Sequence, residues 1–490
     1  MSPIVPSLLA FALPIQASEL PSKAERVLEV TIEDALRLAT AYSLTLQAGV
    51  AAEDAARYER DARWGQFDWN LRVEGSITDA EYEGNSELSG APILDQRDQG
   101  LSLSLTRPTT FGPTFELLYE SQESSTNNTF AYLPHSTTGT MTLGLSQPLL
   151  AGRGRDYATA MQFQAENEVT FQSEAVRAIR RRLIEQVIQS YWSLAAAEGS
   201  LKSADLGLQY ANEFLRIAES RAAAGIGLEL DVLQAQTELA RRQETRTQVQ
   251  IAKMNAEDTL RQFLYTTNNP LAWEEILVTA DPLPSPPESP EEREWIELYT
   301  LARDRHPELR QRELGLLNAK RLLHVAESDE QSNLNLQVRL RTQGFEQSAF
   351  DAWEESLGFE YPAISAALRW ELPLSGTQPA ARTRKARAEL RKAQFDLDST
   401  ERQLTSSMRV IIRALSLQAL AYKSSLKTID LTKRQHEIET SRYKEGRSTS
   451  VRVLAAQQAH LEALTSALDA QATYVIARGQ LEVLLGKHDQ

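Results

Sequence analysis

The 490-residue chain has no cysteine. That excludes disulfides, thiolate metal sites and cysteine nucleophiles, and leaves no thiol for lipid attachment. Nor is there an uninterrupted apolar run of the roughly 18 residues that a transmembrane helix needs. A membrane role would therefore require a closed β-barrel, the other fold that satisfies its backbone groups in lipid. Basic charge is in short supply. Against 67 Asp and Glu stand 52 Lys and Arg, a formal net charge of -15, and no basic stripe offers itself to a nucleic acid. Glycine and proline are sparse and lie mostly outside long tracts rich in Ala, Glu, Leu, Gln and Arg, the composition of extended helices or coiled coils.

Sites for catalysis are equally thin. The six histidines (His135, His306, His324, His436, His460 and His488) contain no pair at metal-ligand spacing. Gly152-Arg153-Gly154 is followed by no Lys-Ser/Thr and reads as a turn rather than a phosphate loop. No metal, cofactor or catalytic residue is expected, and the chain is not read as an enzyme.

What the sequence does contain is a duplication. Residues 38–74 pair without gaps with 301–337, matching Leu38-Ala39 to Leu301-Ala302, Leu46 to Leu309 and Asn70-Leu71 to Asn333-Leu334. Pro148-Leu149 corresponds to Pro373-Leu374. Arg221, Gly225, Val232-Leu233, Ala235 and Gln236 correspond to Arg442, Gly446, Val453-Leu454, Ala456 and Gln457. Three blocks in one order point to two tandem copies. We divide the chain into a signal-like apolar segment over 1–17, a first copy over 18–267, a proline-rich linker over 268–292 and a second copy over 293–490. The opening segment has the apolar run and small residues of a secretory signal but lacks its basic start. The linker is barred from continuous helix by Pro282, Pro284, Pro286, Pro287 and Pro290.

Each copy follows one plan. Thr31, capping Ile32-Glu33-Asp34, opens a helix that carries apolar residues at helical spacing through Val50. Strands follow over about 69–148. A helix over 156–222, capped by Asp156, then carries a narrow apolar seam at Val176, Ile179, Leu183, Val187 and Tyr191. A turn at 223–227 leads into a returning helix over 228–265. The second copy repeats this with strands over about 333–373 and helices over 378–443 and 449–486. In the strands the period becomes 2: Trp69, Leu71, Val73 and Ile77 share one face, while Asn70, Arg72, Glu74 and Ser76 share the other. The same alternation recurs at 101–105, 115–120, 141–145, 334–340 and 364–372. Apolar faces backed by charge suit a barrel with a wet lumen, although a soluble antiparallel sheet alternates in the same way. With Arg72, Glu74, Glu116, Arg339, Arg369 and Glu371 on the charged face, these six are the expected lumen residues. Too few strands exist per chain to close a large barrel, so several chains would share it.

The ordered set TIEDALRLATAYSLTLQ, SQPLLAGRG, RAAAGIGLELDVLQAQTELAR and RYKEGRSTSVRVLAAQQAHLEA resembles the TolC family of outer-membrane efflux proteins over about residues 31–486. The resemblance implies a mainly α homotrimer, with a long α-helical barrel of antiparallel coiled-coil helices crossing the periplasm and a shared β-barrel in outer-membrane lipid. It implies an exit duct for tripartite efflux or type I secretion, with a periplasmic adaptor and an inner-membrane pump of RND, ABC or MFS type as partners. The adaptor would meet the tips Ala224, Gly225, Ile226 and Gly227, and Glu445, Gly446 and Arg447. Asp231 and Tyr443 match a pair that latches the family's periplasmic aperture.

Two departures stand out. Family members place two strands in each copy, whereas the first copy here has four (about 69–78, 98–106, 112–121 and 139–148). Six strands from each of three chains would widen the barrel from 12 strands to 18, unless the extra pair is a plug or surface hairpin. The family's aperture aspartates fall on Arg452 and Ala455, so a ring of Arg452 would favour anions instead. A solvated surface arginine is the plainer alternative. The competing class is a soluble coiled-coil scaffold, and an adaptor of the same systems would show one helical hairpin and no duplication.

Overall fold

The computed structural model describes residues 27–84, 90–265, 273–287 and 295–487. The signal-like segment, parts of the linker and the end of the chain fall outside these. By its contacts the chain divides into two units. One comprises residues 1–42, 187–286 and 421–475, the other 43–186, 287–420 and 476–490.

The first unit contains a small parallel pair, β1 (Val27–Val30) and β6 (Ile276–Thr279), joined in register from Val27–Ile276 to Val30–Thr279. Half of this pair comes from the proline-rich linker, which the sequence marks as non-helical but not as paired. The unit also holds α1 (Ile32–Tyr42) and α5 (Glu229–Leu264), with the adjoining portions of three long helices: α4 (Ala160–Ala223), α9 (Thr377–Lys444) and α10 (Ser450–Leu484). A buried knot fixes it. The hydroxyl of Tyr191, on α4, shares its one proton between the carbonyl of Val30 at 2.9 Å and Asp281 at 2.8 Å. Asp281 also accepts the amide of Ile32 at 2.8 Å, which ties the start of α1 to the same point. Burial first, and the Asp281 carboxylate after it, raise the Tyr191 pKa, so the phenol stays a donor.

The second unit carries the sheet. Its strands are β2 (Asn70–Glu83), β3 (Ile93–Pro108), β4 (Thr114–Thr126), β5 (His135–Pro148), β7 (Asn333–Glu346) and β8 (Ala363–Glu371). Their order is β2-β3-β4-β5-β7-β8, antiparallel throughout. The extra strand pair of the first copy therefore lies within one continuous ladder. It is not a hairpin set apart from the sheet. The first four strands run several residues past the expected limits, because polar alternation such as Asp95-Gln96-Arg97-Asp98 has no apolar marker to reveal it.

Alternation separates the two faces. Leu71, Val73, Ile77, Ile364, Leu368 and Trp370 are all at least 60% exposed, which a soluble sheet covered by its own core would not leave bare. In the same unit, Leu298, Ala302, Leu309, Leu404, Met408 and Leu485 form a buried cluster from α6 (Trp295–Asp304), α7 (Pro307–Asp329), α9 and the residue after α10.

Three local expectations need correction. The opening helix is not continuous through Val50. It ends at Tyr42, and the Ser43 side chain caps a new helix, α2 (Leu44–Trp64), by accepting from the Leu46 amide at 3.2 Å. The long helix does not start at 156 with Asp156 as its cap. Gly154 is the N-cap of the short helix α3 (Arg155–Ala158), and α4 starts at Ala160. Asp156 sits in the first turn of α3 and pairs with Arg321 at 2.5 Å, a bond that lowers its pKa. A nine-residue helix, α8 (Ala349–Leu357), lies between β7 and β8. It escapes periodicity because two and a half turns are too few to establish a pattern.

Candidate gate at the helical tips

The two chain reversals of the first unit lie side by side. At the first, α4 ends at Ala223 and α5 begins at Glu229; at the second, α9 ends at Lys444 and α10 begins at Ser450. Each uses a glycine in the left-handed region, Gly225 at φ 73° and Gly446 at φ 80°. The following amide then bonds back five residues: Ile226 to the Arg221 carbonyl at 3.1 Å, Arg447 to the Arg442 carbonyl at 2.8 Å. This is the Schellman termination, which satisfies otherwise orphaned carbonyls and favours glycine at that one position. Ala224, Gly225, Ile226, Glu445, Gly446 and Arg447 are exposed, with Gly227 half-buried. Leu228, Leu230 and Leu233 on the outgoing helix are exposed too.

Beneath the turns, Phe214, Ile217, Ala218, Ala235, Tyr443 and Val453 pack into a core that joins the two hairpins. The rings of Phe214 and Tyr443 lie 5.3 Å apart. Asp231, expected to hydrogen-bond the Tyr443 phenol, stands beside it without closing that bond. The hydroxyl is buried and has no partner, yet burial first and the Asp231 charge second push its pKa up. Arg221 ties the two hairpins together directly. Its guanidinium donates to the carbonyls of Tyr443 at 2.5 Å and Lys444 at 3.1 Å, and to Ile226 of its own turn at 3.3 Å. It also stacks 4.9 Å from the Tyr443 ring centre. One planar fork thus caps the end of the neighbouring helix, where cations are favoured. Ser450 donates to Gln234 at 2.7 Å, and Lys444 meets Glu213 at 3.3 Å. The latter is half-exposed and adds little. Arg452 is exposed and its side chain has no ion-pair partner among the described residues.

Sequence reasoning missed the clasp role of Arg221, although the residue was visible as the mate of Arg442. Arg442 itself makes only an exposed pair with Glu439 at 3.6 Å. In the sheet, all six residues expected to line the lumen share one face. Arg339 lies opposite Gly144, which lies opposite Glu116, which lies opposite Thr106. Arg72 and Glu74 face Ser104 and Ser102, and Arg369 and Glu371 face Asn335 and Asn333, in the same phase. Asp98 joins that face and was overlooked; one of its oxygens is buried and unpaired, and Gln96 donates to the other at 3.0 Å.

In the first unit, Tyr210 stacks on His436 at 4.4 Å and lies 6.2 Å from His460. Both imidazoles are buried, and burial is the main cause that holds each below the ordinary histidine pKa. The His460 charge lowers His436 further and Lys433 lowers His460, against an opposing pull from Glu437 on both and Glu213 on His436. A base depressed in the folded state stays neutral there but charges when released, so its contribution is complete above the ordinary value of about 6.5 and is lost as pH falls below it. Amide protection factors over 430–465, referred to the intrinsic exchange rate at each pH, should therefore fall between about pH 7 and pH 5. Glutamine at both positions should flatten that slope, and an unchanged slope would exclude the pair as its source.

Comparison with known proteins follows this geometry. A family model described as outer membrane efflux protein matches residues 107–264. Protein CyaE of Bordetella pertussis is 25% identical over 301 residues, 61% of this chain and 61% of the relative. The match thus spans about three-fifths of that relative's own length. Among solved structures, the outer membrane protein VceC of Vibrio cholerae has a TM-score of 0.65 at 15% identity, covering 93% of this chain and 96% of its own. The CmeC outer membrane channel of Campylobacter jejuni has a TM-score of 0.64 at 15% identity, covering 93% and 85%. The matched family model and both of these solved structures are described as outer membrane proteins. The resemblance read from the motifs holds: residues 107–264 match the outer membrane efflux protein model, and the fold shared with the solved outer membrane channels runs through nearly all of the chain.

Proposed function

We propose that the chain is one subunit of a homotrimeric outer-membrane exit duct that passively conducts solutes or proteins delivered by an adaptor and an inner-membrane pump, in tripartite efflux or type I secretion. One observation carries the reading: a six-stranded antiparallel sheet with an exposed apolar face, a charged opposite face and two open edges, β2 and β8. Among the described residues no helix is long and apolar enough to cross a membrane. In lipid an open strand edge is untenable, so each β8 must meet the β2 of a neighbouring subunit. Three copies then close 18 strands around a lumen lined by Arg72, Glu74, Glu116, Arg339, Arg369 and Glu371. Expression followed by membrane fractionation and native mass measurement in detergent tests this. A detergent-stable trimer in the outer membrane is expected, and a soluble monomer rejects the duct.

In this reading the paired tips form the periplasmic gate and the exposed turns around Gly225 and Gly446 meet the adaptor. Arg221 is the principal clasp, with Asp231 and Tyr443 beside it. Hydrogen bonds to a charged group contribute about 1.5–3 kcal/mol each, and 1.4 kcal/mol is tenfold in an equilibrium. Arg221→Ala should therefore raise open-channel probability in bilayer recordings on the order of tenfold or more. Asp231→Ala should raise it less. Tyr443→Phe should change little, because the hydroxyl has no partner to lose. Wild-type conductance in the Arg221 variant rejects the clasp.

Arg452, where the family places an acid, would ring the aperture with positive charge and bias passage toward anions. Reversal potentials under a potassium chloride gradient should move toward cation preference in Arg452→Asp. An unmoved potential would make Arg452 a solvated surface residue.

A further inference from the structure

The helix α8 has no place in an alternating sheet, and it is seated on the apolar face. Ala352 and Ser356 are fully buried beneath it. The cross-strand pair Gly139 and Gly344 makes the seat. A side chain at Gly139 would come within 2.7 Å of the Ala352 carbonyl, and one at Gly344 would clash with the same carbonyl and with Glu355. The helix is further pinned where Thr342 donates to the Ser356 carbonyl and where the Phe345 amide donates to Glu355 at 2.8 Å. Gly139 lies two residues from Met141, in the phase of Leu143 and Leu145, so the seat belongs to the face that bears the exposed leucines.

At 100° per residue the outward surface of α8 splits into two flanks. Phe350, Trp353 and Leu357 form one, exposed by 67%, 42% and 38%, with the two aromatic rings 5.9 Å apart. Asp351 and Glu354 form the other. Glu355, on the acidic side, reaches the Phe345 amide near the end of β7, three residues beyond the contact at Thr342. A short helix with an aromatic flank and an acidic flank, held on the apolar face near the strand ends, has the character of an interfacial element.

We propose that α8 is a membrane-interface collar, with Phe350, Trp353 and Leu357 bedded among the outer-leaflet lipids and Asp351 and Glu354 turned to the aqueous side. The occupant is lipid because the flank continues the apolar surface of Leu143, Ile364 and Leu368. This inference rests on the reading of the sheet as membrane-embedded. The collar would fix the depth of the barrel and place a rigid element outside its wall, at the loop between β7 and β8.

The absence of cysteine makes the test direct, since F350C, E354C and L368C each carry a sole thiol. Each variant, spin-labelled and reconstituted as the full chain in vesicles of lipopolysaccharide and phosphatidylethanolamine, reports relative accessibility to oxygen and to a water-soluble nickel complex. The expected oxygen-to-nickel ratio is severalfold higher at F350C and L368C than at E354C. A high ratio at L368C with F350C equal to E354C overturns the collar while leaving the membrane sheet intact. F350C shielded from both probes assigns the flank to a protein neighbour and also overturns it. A low ratio at L368C overturns the membrane reading and the collar with it.

Discussion

A peptide group in hydrocarbon has no water to bond, so every strand in a membrane must be paired on both sides. That one constraint organises the sheet. Four of the six strands have both neighbours within the chain, and β2 and β8 have one each. On β8 every residue is exposed, and on β2 nearly every one is. A soluble protein blunts such edges with prolines, inward charges or bulges. Neither strand contains a proline, and the β2–β3 ladder runs through 14 consecutive pairs. Edges kept regular in this way suit continuation into another subunit rather than protection from one.

The apolar and charged faces follow from the same condition. Leu368 and Trp370 on one side, and Arg369 and Glu371 on the other, cannot both be content in water or both in lipid. Only a boundary between the two suits a strand that alternates so strictly. The buried threonines Thr140 and Thr142 on the charged face fit this as well. They are small and hydroxylated, and Thr140 can accept from Arg341 at 3.5 Å, which crowds a curved polar surface without an uncompensated charge.

How much of this was legible depended on whether a residue acts through a periodic pattern or through a contact. The period-2 runs revealed all six strands, and the left-handed turns were visible as Gly225 and Gly446, because each reports a backbone requirement that few residues meet. Asp231 lies near enough to raise the Tyr443 pKa, but the phenol hydroxyl has no partner at hydrogen-bond distance. Whether a phenol and a carboxylate align is decided by tenths of an ångström that spacing does not encode. Arg221 was hidden for the opposite reason. Its mate Arg442 has the same local sequence context, and only the arrangement of the second turn beside the first makes one arginine a clasp and leaves the other at the surface. The seat of α8 was equally hidden, since Gly139 and Gly344 are 205 positions apart in sequence and meet only through the β5–β7 register.

The distribution of bonding within the first unit explains how a tip could open without unravelling the fold. At the Tyr191 knot the groups are buried and mutually satisfied: one phenol serves Val30 and Asp281, and Glu198 accepts both the amide and the hydroxyl of Thr279. Arg261, also buried, is held by Glu257, Asp258 and the Glu275 carbonyl, although its Nε has no partner. Thirty residues along α4, roughly 45 Å at about 1.5 Å per residue, the tip presents the reverse. There the Lys444–Glu213 pair is half-exposed, the Tyr443 hydroxyl and the Arg221 Nε have no partner, and apolar Ile226 and Leu228 face solvent. Buried, densely bonded networks resist opening, whereas half-exposed bonds lower its cost. A single long helix anchored firmly at one point and weakly at its end can swing that end while keeping its own ladder intact. In the proposed gate, the unsatisfied atoms at the tip would leave a closed arrangement held by only a small margin.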